Sequence, residues 1–509
     1  MCARECIAGR AVLCLGVTAC VSAGVALASS GMPWLRCALL PWCSSTHPLL
    51  LAALSSFQMG DGTNFTVSFA GTLLSKAEEL LIQGIHPSDV VAGYKKAAAL
   101  LPEMLASCVS HRLENPRSVE ELGAAIKPVI AAKLQGVEDI LGPLIADACV
   151  SVMKPEPKAA AVVVDNVRVC KLQGGSLADS AVVRGAVVHR NTNGVIKHAE
   201  KAKVVVFSCG MEAADTETKG TVVLRTADDL KAYNKSEERA MEEKIKAVAD
   251  SGAKVVVVGG SISEIAQHFL DKYNLLTVKI MSKFELRRLC KVVGATALVR
   301  VGAPMPEELG YADSVGVQEV ASQKITVFRQ EDDGDEKSGI ATIVLRGATA
   351  NFLADCERVV DDAVSVAKQL CRDARMVPGA GATEIALAAK LRDLADATPG
   401  MEQYAIRAFG ESFEFLPRVL AENAGEDATS AISALYAAHA GGNGAAGVNV
   451  DDGSVLDAAA AGVYDSFLVK ENALRLASDA AVTVLRVDQI IMAKQAGGPK
   501  PRAPRPQDA

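Results

Sequence analysis

The chain has 509 residues, half of them hydrophobic and 22% charged, with a formal net charge of −7. That length is room for about three domains with sizeable cores, and the acidic balance excludes a chain built to bind nucleic acid by charge. The average conceals a break near residue 59. Six of the 13 cysteines and both tryptophans lie before it, where only Arg4, Glu5, Arg10 and Arg36 are charged. Arg4 and Arg10, the apolar run 11–28 and its small-residue end have the make-up of a secretory leader. The same run just reaches the length of a membrane span. The later cysteines (Cys108, Cys149, Cys170, Cys209, Cys290, Cys356, Cys371) stand singly, without metal-ligand spacing, as thiols of a reducing compartment do. The body outweighs the head. Residues 1–58 are set apart as an atypical segment, and the expected location is the cytoplasm, with no membrane and no nucleic-acid partner.

The body opens on Gly60-Asp61-Gly62-Thr63-Asn64, directly before Phe65, Phe69, Leu73, Leu74, Ala77, Leu80 and Leu81 at helical spacing. A glycine turn that opens a helix leaves N–H donors unpaired at the positive helix end, which suits a phosphate. Asp61 is the kind of carboxylate that holds Mg²⁺ beside nucleotide oxygens, and Thr63 can donate to a phosphate. Asp-Gly is equally a common turn.

Gly84 stops this helix, and His86-Pro87-Ser88-Asp89 starts a second whose stripe Pro102 interrupts. Residues 119–152 keep helical spacing. Short β-prone runs follow at 161–164, 167–170 and 186–189, separated by Gly174-Gly175 and Gly185. From 203 the elements alternate, with strands at 203–207, 254–258, 275–280 and 297–301. Helices at 235–250, 263–272 and 283–293 lie between them, which implies a valine-rich sheet covered on both faces. Val257-Val258-Gly259-Gly260-Ser261 lacks the G-x-G-x-x-G spacing and reads as a strand-to-helix turn. Lys283, Arg287 and Lys291 fall on one face of helix 283–293, by themselves a solvated stripe.

A strand at 342–345 ends at Arg346-Gly347, and Thr349 caps a helix to about 370 that carries Asp361-Asp362. Val377-Pro378-Gly379-Ala380-Gly381-Ala382-Thr383-Glu384 is a second glycine turn feeding a helix. Helices then reach about 485, with 441–447 as a loop and 486–492 as a strand-like end. The Pro- and Arg-rich tail from 495 is predicted to be disordered. The order is nested: helical, mixed, α/β, mixed, helical. Two glycine turns in opposite halves can therefore meet at one cleft. There Asp61 on a cation and Asp362 on an attacking water would serve phosphoryl transfer. Taken alone, Asp362 is an ordinary helix acid beside Asp361.

Gly60-Asp61-Gly62-Thr63, Lys283-Phe284-Glu285-Leu286-Arg287-Arg288-Leu289-Cys290, residues 377–384 and residues 482–494 together resemble the group II chaperonins, over about residues 59–498. The resemblance implies a multi-domain α/β fold with a mostly helical equatorial domain (59–118 and 378–494) and a small α+β intermediate domain (119–185 and 347–377). It also implies an α/β apical client-binding domain (186–346) with a helical lid protrusion at about 215–243, then a tail at 495–509. The implied activity is an ATPase in a double ring with seven other subunit types. Mg²⁺ and ATP hydrolysis close the lid over unfolded proteins such as actin and tubulin.

Carried onto this sequence, Asp61 matches the Mg²⁺ carboxylate, and Gly60, Gly62, Thr63 and Asn64 match the phosphate cradle. Asp362 matches the group that activates water, Gly379, Ala380 and Gly381 the turn against the nucleoside, and Asp465 a ribose contact. Helix 283–293 matches a client-facing helix, so its basic stripe is expected to take acidic or polar client segments. Three departures stand out: Ala380 interrupts a triple glycine, Asn64 replaces a frequent second threonine, and residues 1–58 lack the family's first phosphate loop. The last leaves room for a ring member weak or inactive in hydrolysis that contributes architecture and client contacts. A secreted or tethered binding protein of this type rests on the head alone.

Overall fold

The computed structural model describes residues 59–153, 161–212, 226–320, 323–330 and 339–488. The leader-like segment, the first part of the expected protrusion and the tail lie outside them. Helix α1 (Thr63–Ile82) buries Phe69, Leu73, Ala77 and Leu80 from one face. Helix α2 (Pro87–Ala106) is capped by His86, whose ring nitrogen accepts from the Ser88 amide. Pro102 lies inside α2 and does not end it. Leu101 and Leu105 are buried on either side of it, and their packing carries the helix past the missing bond. The two helices meet at an aromatic knot in which Phe69, Tyr94, Phe409 and Phe413 stack or cross. The Tyr94 hydroxyl donates to the Leu73 carbonyl at 2.9 Å.

Strand β1 (His111–Arg112) leads to α3 (Val119–Ala131) and α4 (Glu138–Val152). Their faces Leu122, Ile126, Ile130, Leu141 and Ile145 form a second core. Residues 161–164, expected as β-prone, make no strand; the chain takes a single 3-10 turn at Val164–Asn166. Then come β2 (Val167–Gln173), β3 (Ala181–Val188), β4 (Thr192–Asn193), β5 (His198–Phe207), α5 (Ala227–Asp250), β6 (Ala253–Val258), α6 (Glu264–Lys272), β7 (Leu276–Lys279), α7 (Lys283–Val293), β8 (Ala297–Leu298), β9 (Gly310–Val320), β10 (Gln323–Arg329) and β11 (Ala341–Gly347). One sheet runs in the order β2-β11-β3-β10-β9-β5-β6-β7-β4, with β8 on β5. Its β5-β6-β7 centre is parallel. There Val204, Val206, Val255 and Val257 face α7, while Val205, Val256 and Val258 face α5 and α6. Strands β9 and β10 escaped the sequence reading because β9 carries Asp313, Gln318 and Glu319 and buries its residues irregularly.

Helix α8 (Ala350–Arg372) is capped by Thr349, whose hydroxyl oxygen accepts from the Phe352 amide at 3.4 Å. Next are β12 (Arg375–Pro378), α9 (Ala382–Ala397), α10 (Glu402–Glu411), α11 (Phe415–Ala424), α12 (Ala428–Ala440), β13 (Ala446–Val448), β14 (Val455–Asp457), β15 (Tyr464–Ser466) and α13 (Phe467–Leu485). The expected helical run to about 485, interrupted only by a loop at 441–447, is thus corrected: the β13–β14 hairpin and β15 lie within 446–466. The expected strand at 486–492 is also corrected where it is described. The amides of Arg486 and Val487 bond back to Val482 and Val484 as a helix end does.

Strand β12 sits between β1 and β15. His111 pairs with Met376, Val377 pairs with Asp465, and the Leu113 amide donates to the Ala374 carbonyl at 2.9 Å. The outgoing and returning strands of the chain are therefore neighbours.

Candidate functional site

Glycines shape both entrances to the crevice. Gly60 and Gly62 hold φ of 82° and 77° on either side of Asp61. A Cβ at Gly60 would stand 2.4 Å from Ser365 Cβ and 3.2 Å from the Asp362 carbonyl oxygen, so only glycine lets this turn lie against α8. No side chain caps α1, and its first intrahelical bond runs from the Thr66 amide to the Gly62 carbonyl at 3.0 Å. The Gly62 amide turns to the Asp61 carboxylate, while the Thr63, Asn64 and Phe65 amides have no intrahelical partner. Thr63 is half-buried there and Asn64 is exposed. The second turn repeats the design, with Gly381 at φ 81° opening α9 without a side-chain cap. Between Gly379 and Gly381, Ala380 holds φ 55°, a left-handed backbone for a residue with a Cβ. Gly447 lies opposite, where a Cβ would come within 2.8 Å of the Ala380 methyl.

Lys470 joins the two turns. Its Nζ is 2.6 Å from Glu384 Oε1 in the first turn of α9 and 2.5 Å from Asp465 Oδ2 on β15. It also lies 5.3 Å from the centre of the Phe65 ring in the first turn of α1. Both Lys470 and Glu384 are buried. Burial opposes the charge on Lys470, but the Asp465 and Glu384 carboxylates outweigh it and raise its pKa. Pairing of Val377 with Asp465, and of the Gly379 amide with the Val463 carbonyl at 3.0 Å, seats the second turn beside Asp465.

Asp61 and Asp362 share this crevice. Burial pushes the Asp61 carboxyl above its ordinary range; Lys133, the Gly62 amide and Lys470 pull it down, and Asp465 pushes it further up. Burial likewise raises Asp362, opposed by its ion pair with Lys133 and reinforced by the charge of Asp61. The Asp362 side chain is 18% exposed, unlike an ordinary solvated helix acid. Gly60, Asp61, Gly62, Thr63 and Asn64 thus come together with Asp362 and Asp465, and the turn Gly379, Ala380 and Gly381 adjoins Asp465. Lys283, Arg287 and Lys291 do not; they line the exposed face of α7 in the sheet-bearing body, beside an equally exposed Phe284.

The sequence reading missed Lys133, Glu384 and Lys470. For Lys470 one clue existed, a lysine directly after the apolar Phe467-Leu468-Val469. Among the described residues no group of three His, Cys, Asp or Glu could hold a metal by itself. A cation here would therefore share its ligands with a bound anion.

The sequence model of the TCP-1/cpn60 chaperonin family matches residues 50–495, beginning somewhat ahead of the motifs. The chain belongs to that chaperonin family. T-complex protein 1 subunit theta of Arabidopsis thaliana is 48% identical over 454 residues, covering 89% of this chain and 82% of that one. The subunit theta of Homo sapiens is 47% identical over 446 residues, covering 87% and 80%. Among solved structures, the open-state monomer of a group II chaperonin from Methanococcoides burtonii superposes with a TM-score of 0.63 at 29% identity. The match covers 84% of this chain and all of that one. The fold is thus the multi-domain α/β fold of a chaperonin, and the role is that of a chaperone subunit. Among the described residues no helix is long and apolar enough to cross a membrane.

Proposed function

We propose that this chaperonin chain binds and hydrolyses ATP at the crevice between its two glycine turns. In this reading it works in the cytoplasm within a double ring of this and seven other subunit types. The observation that carries the reading is Lys470, which touches the first turns of both α1 and α9 and so makes one site of two distant motifs. The helical body (59–118 and 378–494) would hold the nucleotide, the smaller body (119–185 and 347–377) would supply Asp362, and the sheet-bearing body (186–346) would meet the client.

The residues present fit a magnesium nucleotide. Two uncapped helix starts offer amides to phosphate oxygens, and Asp61 is the carboxylate placed to hold the cation. When bound, Mg²⁺ supplies neutralisation of the phosphate charge. Asp362 accepts the proton of the water that attacks the terminal phosphorus, as the bond to the ADP oxygen breaks. Lys133 holds the Asp362 carboxylate through their ion pair. Gly379, Ala380 and Gly381 would lie against the nucleoside and Asp465 against the ribose. On α7, Lys283, Arg287 and Lys291 would take acidic segments of unfolded clients, actin and tubulin among them.

The test is a ring assembled with Asp362→Ala. This subunit should still bind ATP, and its hydrolysis should fall by roughly a hundredfold or more. Unchanged turnover at this subunit would overturn the assignment and leave a ring member that contributes architecture and client contacts.

A further inference from the structure

The two turns are joined by a buried chain of charges that the phosphate chemistry does not use. Glu384 is fully buried in the first turn of α9. Its close partner is the Lys470 ammonium, 2.6 Å from Oε1, while Oε2 has no hydrogen-bond partner among the described residues. A buried carboxylate held by one cation is retained at a cost, and here its effect is to anchor Lys470. Lys470 in turn donates to Asp465 Oδ2 at 2.5 Å. The Asp465 side chain is 43% exposed, so one oxygen is held from behind while the rest of the group stays open to a ligand. The series runs from a rigid helix start, through a buried cation, to an acid on the crevice wall.

We infer that Lys470, anchored by Glu384, is a positioning residue that aims the Asp465 carboxylate at the hydroxyls of the nucleotide's sugar and so sets preference for a ribose. This rests on the proposed nucleotide site. Without Lys470, Asp465 loses its ion-pair partner beside the charge of Asp61, and like charge turns it towards water. Hydroxyls on the sugar are donors that a fixed carboxylate accepts from; a sugar lacking them leaves the acid unpaired.

The experiment uses the assembled ring, with this subunit's peptides photolabelled by 8-azido-ATP. Competition by ATP is compared with competition by 2′,3′-dideoxy-ATP, which lacks both hydroxyls. In the natural chain ATP should compete about tenfold better. Asp465→Ala should bring the two competitors close to parity. Lys470→Met leaves a buried unpaired Glu384, so the decisive variant is the double Lys470→Met/Glu384→Gln, which removes both charges together. It should keep labelling and lose most of the tenfold preference. A merely structural role would weaken both competitors equally and leave their ratio untouched. A double variant that labels and keeps the natural ratio, or that loses labelling altogether, overturns the inference and leaves the site standing. A natural chain that is never labelled overturns the site reading and the inference with it; one that is labelled without preference overturns the inference alone.

Discussion

Ala380 places a methyl group on a backbone turned left-handed, φ 55°, between two glycines. The left-handed region costs an L-residue about 1–2 kcal/mol, part of which glycine would return to the unfolded chain as entropy. Ala380→Gly should therefore stabilise this turn by about 0.5–1 kcal/mol. The Val448 amide donates to the Ala380 carbonyl at 2.9 Å, and its hydrogen exchange should slow; equal or faster exchange would contradict the strain. From sequence Ala380 was only an interruption of a triple glycine, since φ is not written in composition. The same limit explains what was legible at this scale. Gly60-Asp61-Gly62 was readable because a turn and its helix are local. Lys133, Glu384 and Lys470 acquire their meaning from partners far away in the chain.

Helices were the legible elements and short strands were not. Stripes such as Leu353, Cys356, Val359, Val360 and Ala363 announce α8 by spacing alone. Two- to four-residue strands such as β1, β12 and β15 have no period to read, and β12 takes its partners from far along the chain, β1 from the opposite half and β15 about 90 residues on. Pro102 misled because intrinsic preference yields to tertiary packing. The junction of α8 and β12 is secured by Asp373, which pairs with Arg375 through two nitrogens at 2.6 and 3.0 Å. The Arg375 guanidinium also lies 3.8 Å above the Phe467 ring. Hydrogen bonds from Arg375 hold the Asp373 pKa below its ordinary 3.8, against a smaller upward push from burial. A depressed folded pKa gives stability that is present above the unfolded value and lost as pH falls through the folded one. Asp373→Asn should cost about 0.5–1 kcal/mol near neutrality, after allowing for the exposure of Arg375. The difference from the natural chain should begin to shrink as the solution is acidified below pH 3.8 and disappear once the pH lies below the folded pKa. Urea unfolding at neutral pH and down an acid series checks both the size and the sign; a difference that does not shrink with acid would rule out the ion pair as its source.

The nested order of the whole molecule followed from where the strand-rich stretch begins and ends, but the continuity of one sheet from β2 to β4 did not, because β9 and β10 went unread. The sheet-bearing body offers α7 with its apolar side buried and Lys283, Arg287, Lys291 and Phe284 in solvent. A ring carrying Lys283→Glu, Arg287→Glu and Lys291→Glu should capture a denatured acidic protein severalfold less well and lose the salt dependence of that capture. Co-sedimentation at low and high salt measures it, and unchanged capture would assign the client face elsewhere. The fold should tolerate the three changes, since exposed substitutions of this kind cost about 0.5 kcal/mol or less apiece.

The clasp of β1 and β12 has a mechanical corollary. Everything between residues 113 and 374 departs and comes home on adjacent rungs, like a pennant lashed to its mast at one height. Asp362 flies with the pennant, while Asp61 and Asp465 stay on the mast. A swing about that lashing would thus change the distance between the acid of α8 and the other two, and would slide α8 along the Gly60 turn that lies against it. Because β15 is lashed to the same strand, the pull would be felt first at Asp465.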